Sequence, residues 1–203
     1  MAKVLVTGGA GFIGSSVARK CIENGHEVVI LDNLSSGSNE VLEQLESLGI
    51  RAVIGDIRDP YSLQRAMHGC DAVVHLAAQI SVPASIANPQ ENNSINVEGT
   101  QLILDYCKQF NVKRVVVTSS AAVYGHDDRL PLQEEYAGDI LSPYAQSKWE
   151  NEQQIIASRL SGLNTVCRLY TSLAAESIHY AHHVGRRNID KQTPKKRTKH
   201  THT

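Results

Sequence analysis

A doubly wound α/β fold with a parallel sheet follows from three observations on the 203 residues. Short apolar runs alternate with segments whose apolar residues recur every three to four positions. The first run ends in glycines that open the first helical segment, and the second run ends in an acid, Asp32. Such alternation covers both faces of a parallel sheet with helices, and right-handed crossovers leave the doubly wound topology as the simplest arrangement.

Lys3–Thr7 reads as the first buried strand. Residues 12–24 place Phe12, Ile13, Val17, Ala18, Cys21 and Ile22 at helical spacing and stop at Asn24-Gly25. Glu27–Leu31 is the second strand, and residues 39–48 form a helix closed by Gly49. Arg51–Gly55 is the third strand, followed by a short helix over 60–68 that Pro60 opens. Ala72–Leu76 is the fourth strand. Residues 90–110 read as one long helix, Lys113–Thr118 as the fifth strand, 142–161 as another helix, and Asn164–Leu169 as the start of a sixth strand. There is no internal repeat.

The length suggests one domain with an appendage. A 41% hydrophobic and 20% charged composition can build a core and excludes a mainly disordered chain. No run approaches the ~18 apolar residues of a membrane span. Met1-Ala2-Lys3-Val4 enters structure directly, without a basic-then-apolar leader. Cys21, Cys70, Cys107 and Cys167 lie far apart with no CxxC pair, which predicts reduced thiols in a cytoplasmic protein. The net charge of -1 hides an asymmetry. Residues 186–203 hold seven Lys/Arg against Asp190 alone, leaving 13 Lys/Arg against 20 Asp/Glu elsewhere. The body has no basic stripe, so nucleic acid is not an expected partner. Residues 1–169 are expected to be the folded domain and 170–203 a poorly ordered basic tail. His179, His182 and His183 share helical spacing there, but a polar, loosely helical segment is the simpler reading, and no metal is expected.

The chemistry begins at Thr7-Gly8-Gly9-Ala10-Gly11-Phe12-Ile13-Gly14. Gly8 permits a sharp turn, Gly11 lets backbone approach a pyrophosphate, and Gly14 lets helix pack closely on strand. The helix N-terminus adds unpaired N–H groups and partial positive charge. Asp32, 18 residues beyond Gly14, would accept from ribose hydroxyls and repel a 2′-phosphate, with no arginine nearby in sequence to greet one. Asp56-Ile57 and Leu76-Ala77-Ala78-Gln79 close the next two strands, where open α/β sheets bind ligands. Tyr144 and Lys148 are four apart and share one helix face. A free phenol, pKa near ~10, is a weak base at neutral pH; a neighbouring ammonium favours its ionised form. Thr118-Ser119-Ser120 follows the fifth strand and brings hydroxyls towards the same place.

The stretches TGGAGFIGS, LDNLSSG, GDIRD, HLAAQISVPASIANP, NVEGT, TSSAAVYG and SPYAQSK resemble the extended short-chain dehydrogenase/reductase superfamily. Within it they resemble the NAD-dependent epimerase/dehydratase family, of UDP-glucose 4-epimerase type, over residues 3–167. The resemblance implies a Rossmann-type fold binding NAD and a UDP-hexose, with epimerisation at C4 through a 4-keto sugar. It implies Tyr144 as the base on the 4-hydroxyl, Lys148 as its partner at the nicotinamide ribose, and Ser120 as donor to the reacting oxygen. The Gly8/Gly11/Gly14 loop with Phe12 and Ile13 takes the pyrophosphate. Asp32, Asn33, Ser36 and Gly37 take the adenosine, with Asp56 and Ile57 at the adenine. Leu76, Ala77, Ala78 and Gln79 line the nicotinamide side, and Asn96 supports the cofactor or the serine loop. Tyr124 reads as structural and His75 as a satisfied core histidine.

Dehydratases of the family carry acids, and its decarboxylases a glutamate, where Ala121 and Ala122 stand here, which leaves hydride removal and return. Homodimers through the 90–110 and 142–161 helices are implied as well. Beyond Cys167 the family's Arg-Tyr-Phe-Asn-Val-Tyr-Gly-Pro-like stretch gives way to Arg168-Leu169-Tyr170-Thr171-Ser172-Leu173. That change predicts a missing substrate lobe, by frame change or truncation, and impaired epimerisation. A silent NAD-binding fragment, or another NAD-dependent nucleotide-sugar oxidoreductase, is the alternative.

Overall fold

The computed structural model describes residues 1–125 and 140–168. The expected basic tail and its histidines lie outside the described residues. Six parallel strands form one sheet: β1 (Lys3–Thr7), β2 (Glu27–Asp32), β3 (Arg51–Ile54), β4 (Ala72–His75), β5 (Arg114–Thr118) and β6 (Thr165–Arg168). Their order is β3-β2-β1-β4-β5-β6, so the chain steps outward from β1, returns to its other side at β4, and steps outward again. That reversal between β1 and β4 opens a crevice at the strands' C-terminal ends, where such sheets take ligands.

Alternate residues of each strand face opposite sides. Leu5, Val29, Leu31, Val73, Val115 and Val117 pack with helices α3 (Pro60–Met67), α6 (Gly99–Gln109) and α7 (Pro143–Leu160). Val4, Val6, Val28 and Ile30 pack on the other face with α1 (Phe12–Glu23) and α2 (Asn39–Ser47). Burying a Leu or Ile side chain stabilises by ~1.5–3 kcal/mol, so this two-sided core explains why the strands read as continuous apolar runs. Ser142 caps α7 by accepting from Ala145 N at 3.1 Å, with Pro143 at its first position.

One expectation needs correction. Residues 90–110 are not a single helix. A short α4 (Val82–Ala87), unforeseen in the sequence, ends at Asn88, and α5 (Pro89–Asn93) begins there. Asn88 caps α5 by accepting from Glu91 N at 3.1 Å, and the residue before a proline disfavours helix. Ser94–Glu98 then takes a wider π-helical turn before α6. An extra residue per turn lets Asn96 face α7 while Ile103 and Leu104 of α6 stay in the core.

Candidate active site

The residues singled out in the sequence gather along the C-terminal strand ends. Gly8 has a φ of +68° and lies directly on the backbone after β4: a β-carbon there would come within 2.8 Å of Ala77 N. A β-carbon on Gly14 would lie 2.0 Å from Gly8 O, so α1 can approach β1 only with glycine at this point. A β-carbon on Gly11 would meet only Gly8 O, at 3.3 Å, so its outer face is open. Phe12 beside it is 81% exposed.

Asp32 is buried at the end of β2. One carboxylate oxygen accepts from Ala10 N at 2.9 Å and the other from Leu34 N at 2.8 Å. A carboxylate has about four acceptor sites, so Asp32 fastens the glycine loop and keeps capacity for hydroxyl donors. Gly37 sits against it, with Asn33 and Ser36 exposed alongside.

At the end of β3 the structure adds something spacing did not foretell. Asp56 is gripped by Arg58, at 3.0 Å from Nε and 2.9 Å from a terminal nitrogen, and the hydrogen bonds to Arg58 hold its carboxyl down at about 2. Asn33 donates to Asp56 at 3.3 Å. Arg58 therefore stands beside the end of β3, where Asp56 and Glu91 both bind it. The Ile57 side chain turns into the core, against Gly99.

Asn96 braces the loop after β4. Its Oδ1 accepts from Gln79 N at 2.8 Å, and its Nδ2 lies 2.9 Å from Gln79 O and 3.0 Å from Ser147 Oγ on α7. Asn92 and Asn151 join it: Asn92 donates to Pro143 O at 3.2 Å, and Asn151 to Asn96 O at 2.8 Å. Ser85 accepts from Tyr144 N at 3.1 Å. A buried polar web thus sets α7 against the β4 loop. Sequence reading missed all of it except Asn96, although the run of asparagines at 92, 93 and 96 was a visible signal.

On α7, Tyr144 is half-buried and Lys148 is 5% exposed. Lys148 Nζ donates to Thr118 O at 3.3 Å, and burial pushes its ammonium down to about 8. Ser119 donates to the buried Glu152, a residue the sequence reading passed over, and this fixes the serine loop to the same helix. Ser120 Oγ accepts from Ala122 N at 3.2 Å, so its hydroxyl proton can serve an oxygen in the crevice. Tyr124 is buried. The four cysteines are free thiols. Among the described residues no helix is long and apolar enough to cross a membrane.

A doubly wound sheet, a glycine turn at its crevice and a Tyr/Lys pair on a buried-faced helix define a Rossmann-type protein of dinucleotide-binding architecture. The sequence matches the NAD dependent epimerase/dehydratase family over residues 4–199. The chain belongs to that family. It is 40% identical over 156 residues to the UDP-glucose 4-epimerase of Yersinia pestis, covering 74% of this chain and 46% of that one. The fold superposes on UDP-glucose 4-epimerase from Brucella ovis in complex with NAD, at a TM-score of 0.77, 35% identity, and 84% and 52% of the two chains. It also superposes on UDP-N-acetylglucosamine 4-epimerase from Methanobrevibacter ruminantium in complex with UDP-N-acetylmuramic acid, at 0.76, 37% identity, and 82% and 53%. The chain spans about half the length of the curated relatives it matches.

Proposed function

We propose that this chain is the NAD-binding portion of a nucleotide-sugar 4-epimerase acting on a UDP-hexose. The observation that carries the reading is the placement of Lys148: a buried ammonium at the end of β5, one helical turn from Tyr144, on a helix that Asn96 locks to the β4 loop. An uncompensated buried charge is costly, and a site that works on a proton explains its retention.

The residues fit NAD. Gly11 leaves backbone open to a pyrophosphate, and Asp32 has acceptor capacity for the two ribose hydroxyls. Gln79 Oε1 is a buried acceptor with no donor among the described residues, suited to a ribose hydroxyl. Phe12, Ile13 and Gly14 open the helix that meets the phosphates. Asn33, Ser36 and Gly37 flank the adenosine, Asp56 and the Ile57 backbone meet the adenine, and Leu76, Ala77, Ala78 and Gln79 bound the nicotinamide. Bound NAD supplies the capacity to take hydride from sugar C4 and return it to the opposite face. Tyr144 accepts the 4-hydroxyl proton and later gives it back, Lys148 favours the charged phenolate, and Ser120 donates to the same oxygen. Residues 1–169 are the unit that binds NAD and carries these side chains. Pairing through α6 and α7 and a cytoplasmic, thiol-reducing setting accompany the reading, the latter supported by the free cysteines.

NAD should bind more tightly than NADP. Asp32→Ala should narrow the gap, which isothermal calorimetry with both cofactors measures; equal affinities in the unaltered chain would contradict the role given to Asp32.

Residues 1–203 alone are expected to bind NAD yet turn over UDP-galactose below detection. Holding reactants in place supplies ~7–11 kcal/mol of a barrier, and the relatives devote as much chain again to the whole protein. A coupled assay with Tyr144→Phe as control tests both halves of this. Turnover abolished by the control supports the epimerase reading and refutes the impairment. Turnover that survives the control refutes the role of Tyr144. Absence of NAD binding refutes the cofactor itself.

A further inference from the structure

His75 ends β4 at 3% exposure, and both its ring nitrogens are engaged. Nδ1 lies 2.7 Å from Thr7 Oγ1 and Nε2 lies 3.0 Å from Thr100 Oγ1. What lies beyond each contact fixes its direction. Thr100 Oγ1 donates at 2.6 Å to the carbonyl of Asn96, a group that only accepts. Its one proton is spent there, so Thr100 must accept from His75, and Nε2 carries the hydrogen. Burial, reinforced by the charge of Lys148, holds the imidazole neutral, with a pKa pushed down to about 3. A neutral ring has one bare nitrogen. Nδ1 is that nitrogen, and it accepts the Thr7 hydroxyl proton. The lone pairs of Thr7 Oγ1 then receive Leu76 N and Ala77 N, each at 3.2 Å. A single directed chain runs from the Ala77 N–H to the Asn96 carbonyl.

We infer that His75 is a positioning residue for dinucleotide binding: by orienting the Thr7 hydroxyl through Nδ1, it holds the 76–77 backbone against the glycine turn. This rests on the NAD reading above. The backbone of Ala77 touches Gly8 so closely that a β-carbon at Gly8 would reach within 2.8 Å of Ala77 N. The Thr7 arm therefore sets the gap between the glycine loop and the nicotinamide-side loop, while Asn96 pins the far end of that loop at Gln79. The Nε2 arm ends through Thr100 at the Asn96 backbone carbonyl, which Asn151 also holds at 2.8 Å, so cutting it leaves the Asn96 side chain on Gln79.

The two arms can be cut separately in the full chain. His75→Asn places an oxygen where Nδ1 stands and keeps the Thr7 arm. His75→Gln reaches the Nε2 position with its amide nitrogen and keeps the Thr100 arm. Calorimetry is expected to give NAD affinity within about threefold of wild type for His75→Asn and roughly tenfold weaker for His75→Gln, the worth of a misplaced hydrogen-bonded anchor. Thr7→Val should share the loss and Thr100→Val should not. Thermal melts run alongside identify variants that fail to fold, and the threonine pair decides the matter if both histidine variants do. Nitrogen NMR of the ring, without NAD, should find Nδ1 bare; a proton on Nδ1 overturns the directed chain. Wild-type binding with a similar loss in all four variants overturns the positioning role alone. A wild-type chain that binds no NAD overturns the cofactor reading, and this role with it.

Discussion

Lys148→Met is expected to raise the melting temperature at pH 7 while weakening NAD binding at least tenfold. The ammonium is buried against Thr118 O, and burial lowers its pKa from 10.5 to about 8. The unfolded chain keeps this proton up to about 10.5 and the folded chain gives it up near 8. Between those values the unfolded state binds more protons, so stability rises with pH across that window. Below pH 8 the folded protein carries the full cost of the buried charge, on the order of 3 kcal/mol. Methionine retains the stem's volume without the charge. At ~2–4 °C per kcal/mol for a chain of this size, the gain should be roughly 6–12 °C at pH 7. It should shrink as pH climbs from 8 to 10.5, where the wild type sheds its own penalty. Melts at pH 7, 9 and 10.5 with parallel NAD calorimetry measure both effects; a variant less stable at pH 7 than wild type would refute the argument.

Gly14→Ala should do the opposite, lowering stability and NAD affinity together. The added carbon would stand 2.0 Å from Gly8 O and 2.8 Å from Gly9 Cα, both backbone atoms that no rotamer change can clear. Helix α1 must then lift from β1, and overpacking of this kind costs ~1–3 kcal/mol and sometimes more. A loss near 3 kcal/mol corresponds to roughly 6–12 °C. Gly11→Ala is the internal contrast. Its φ of -82° suits alanine and its β-carbon meets a single atom at 3.3 Å, so it should melt close to wild type and still bind NAD less well. Equal melting of the two variants would show that the close approach at Gly14 does not matter to the fold.

These arguments draw on residues of unequal visibility. The strands and the glycine turn were legible because their signals are local: β-branched runs, a fixed glycine spacing, an acid closing β2. The satisfied state of His75 was legible too, since a histidine inside an apolar strand must find partners nearby. The break in the 90–110 helix was half legible. Asn88-Pro89 is a written stop, but the π-helical turn at Ser94–Glu98 inserts one residue into a pattern whose apolar positions still recur at helical spacing. The clamp of Asp56 and Glu91 on Arg58 joins residues up to 33 positions apart, and the Ser119–Glu152 bond likewise spans 33. Nothing in a window of sequence encodes such partners; only the sheet order brings them together.

The β1–β4 pairing has a consequence for how the protein comes into being. Thr7 and His75, neighbours across that seam, are 68 positions apart, and Asn96 meets Ser147 across 51 more. A chain emerging from the ribosome at ~5–20 residues per second therefore leaves one edge of β1 unpaired for several seconds while the first βαβ units form. The seam can close once β4 has emerged, but the crevice wall that Asn96 and Ser147 join is complete only after α7 has followed. Long-range closure of this kind is slow, and a dinucleotide bound as proposed, across both halves, would act on the late step of assembly more than on the early ones.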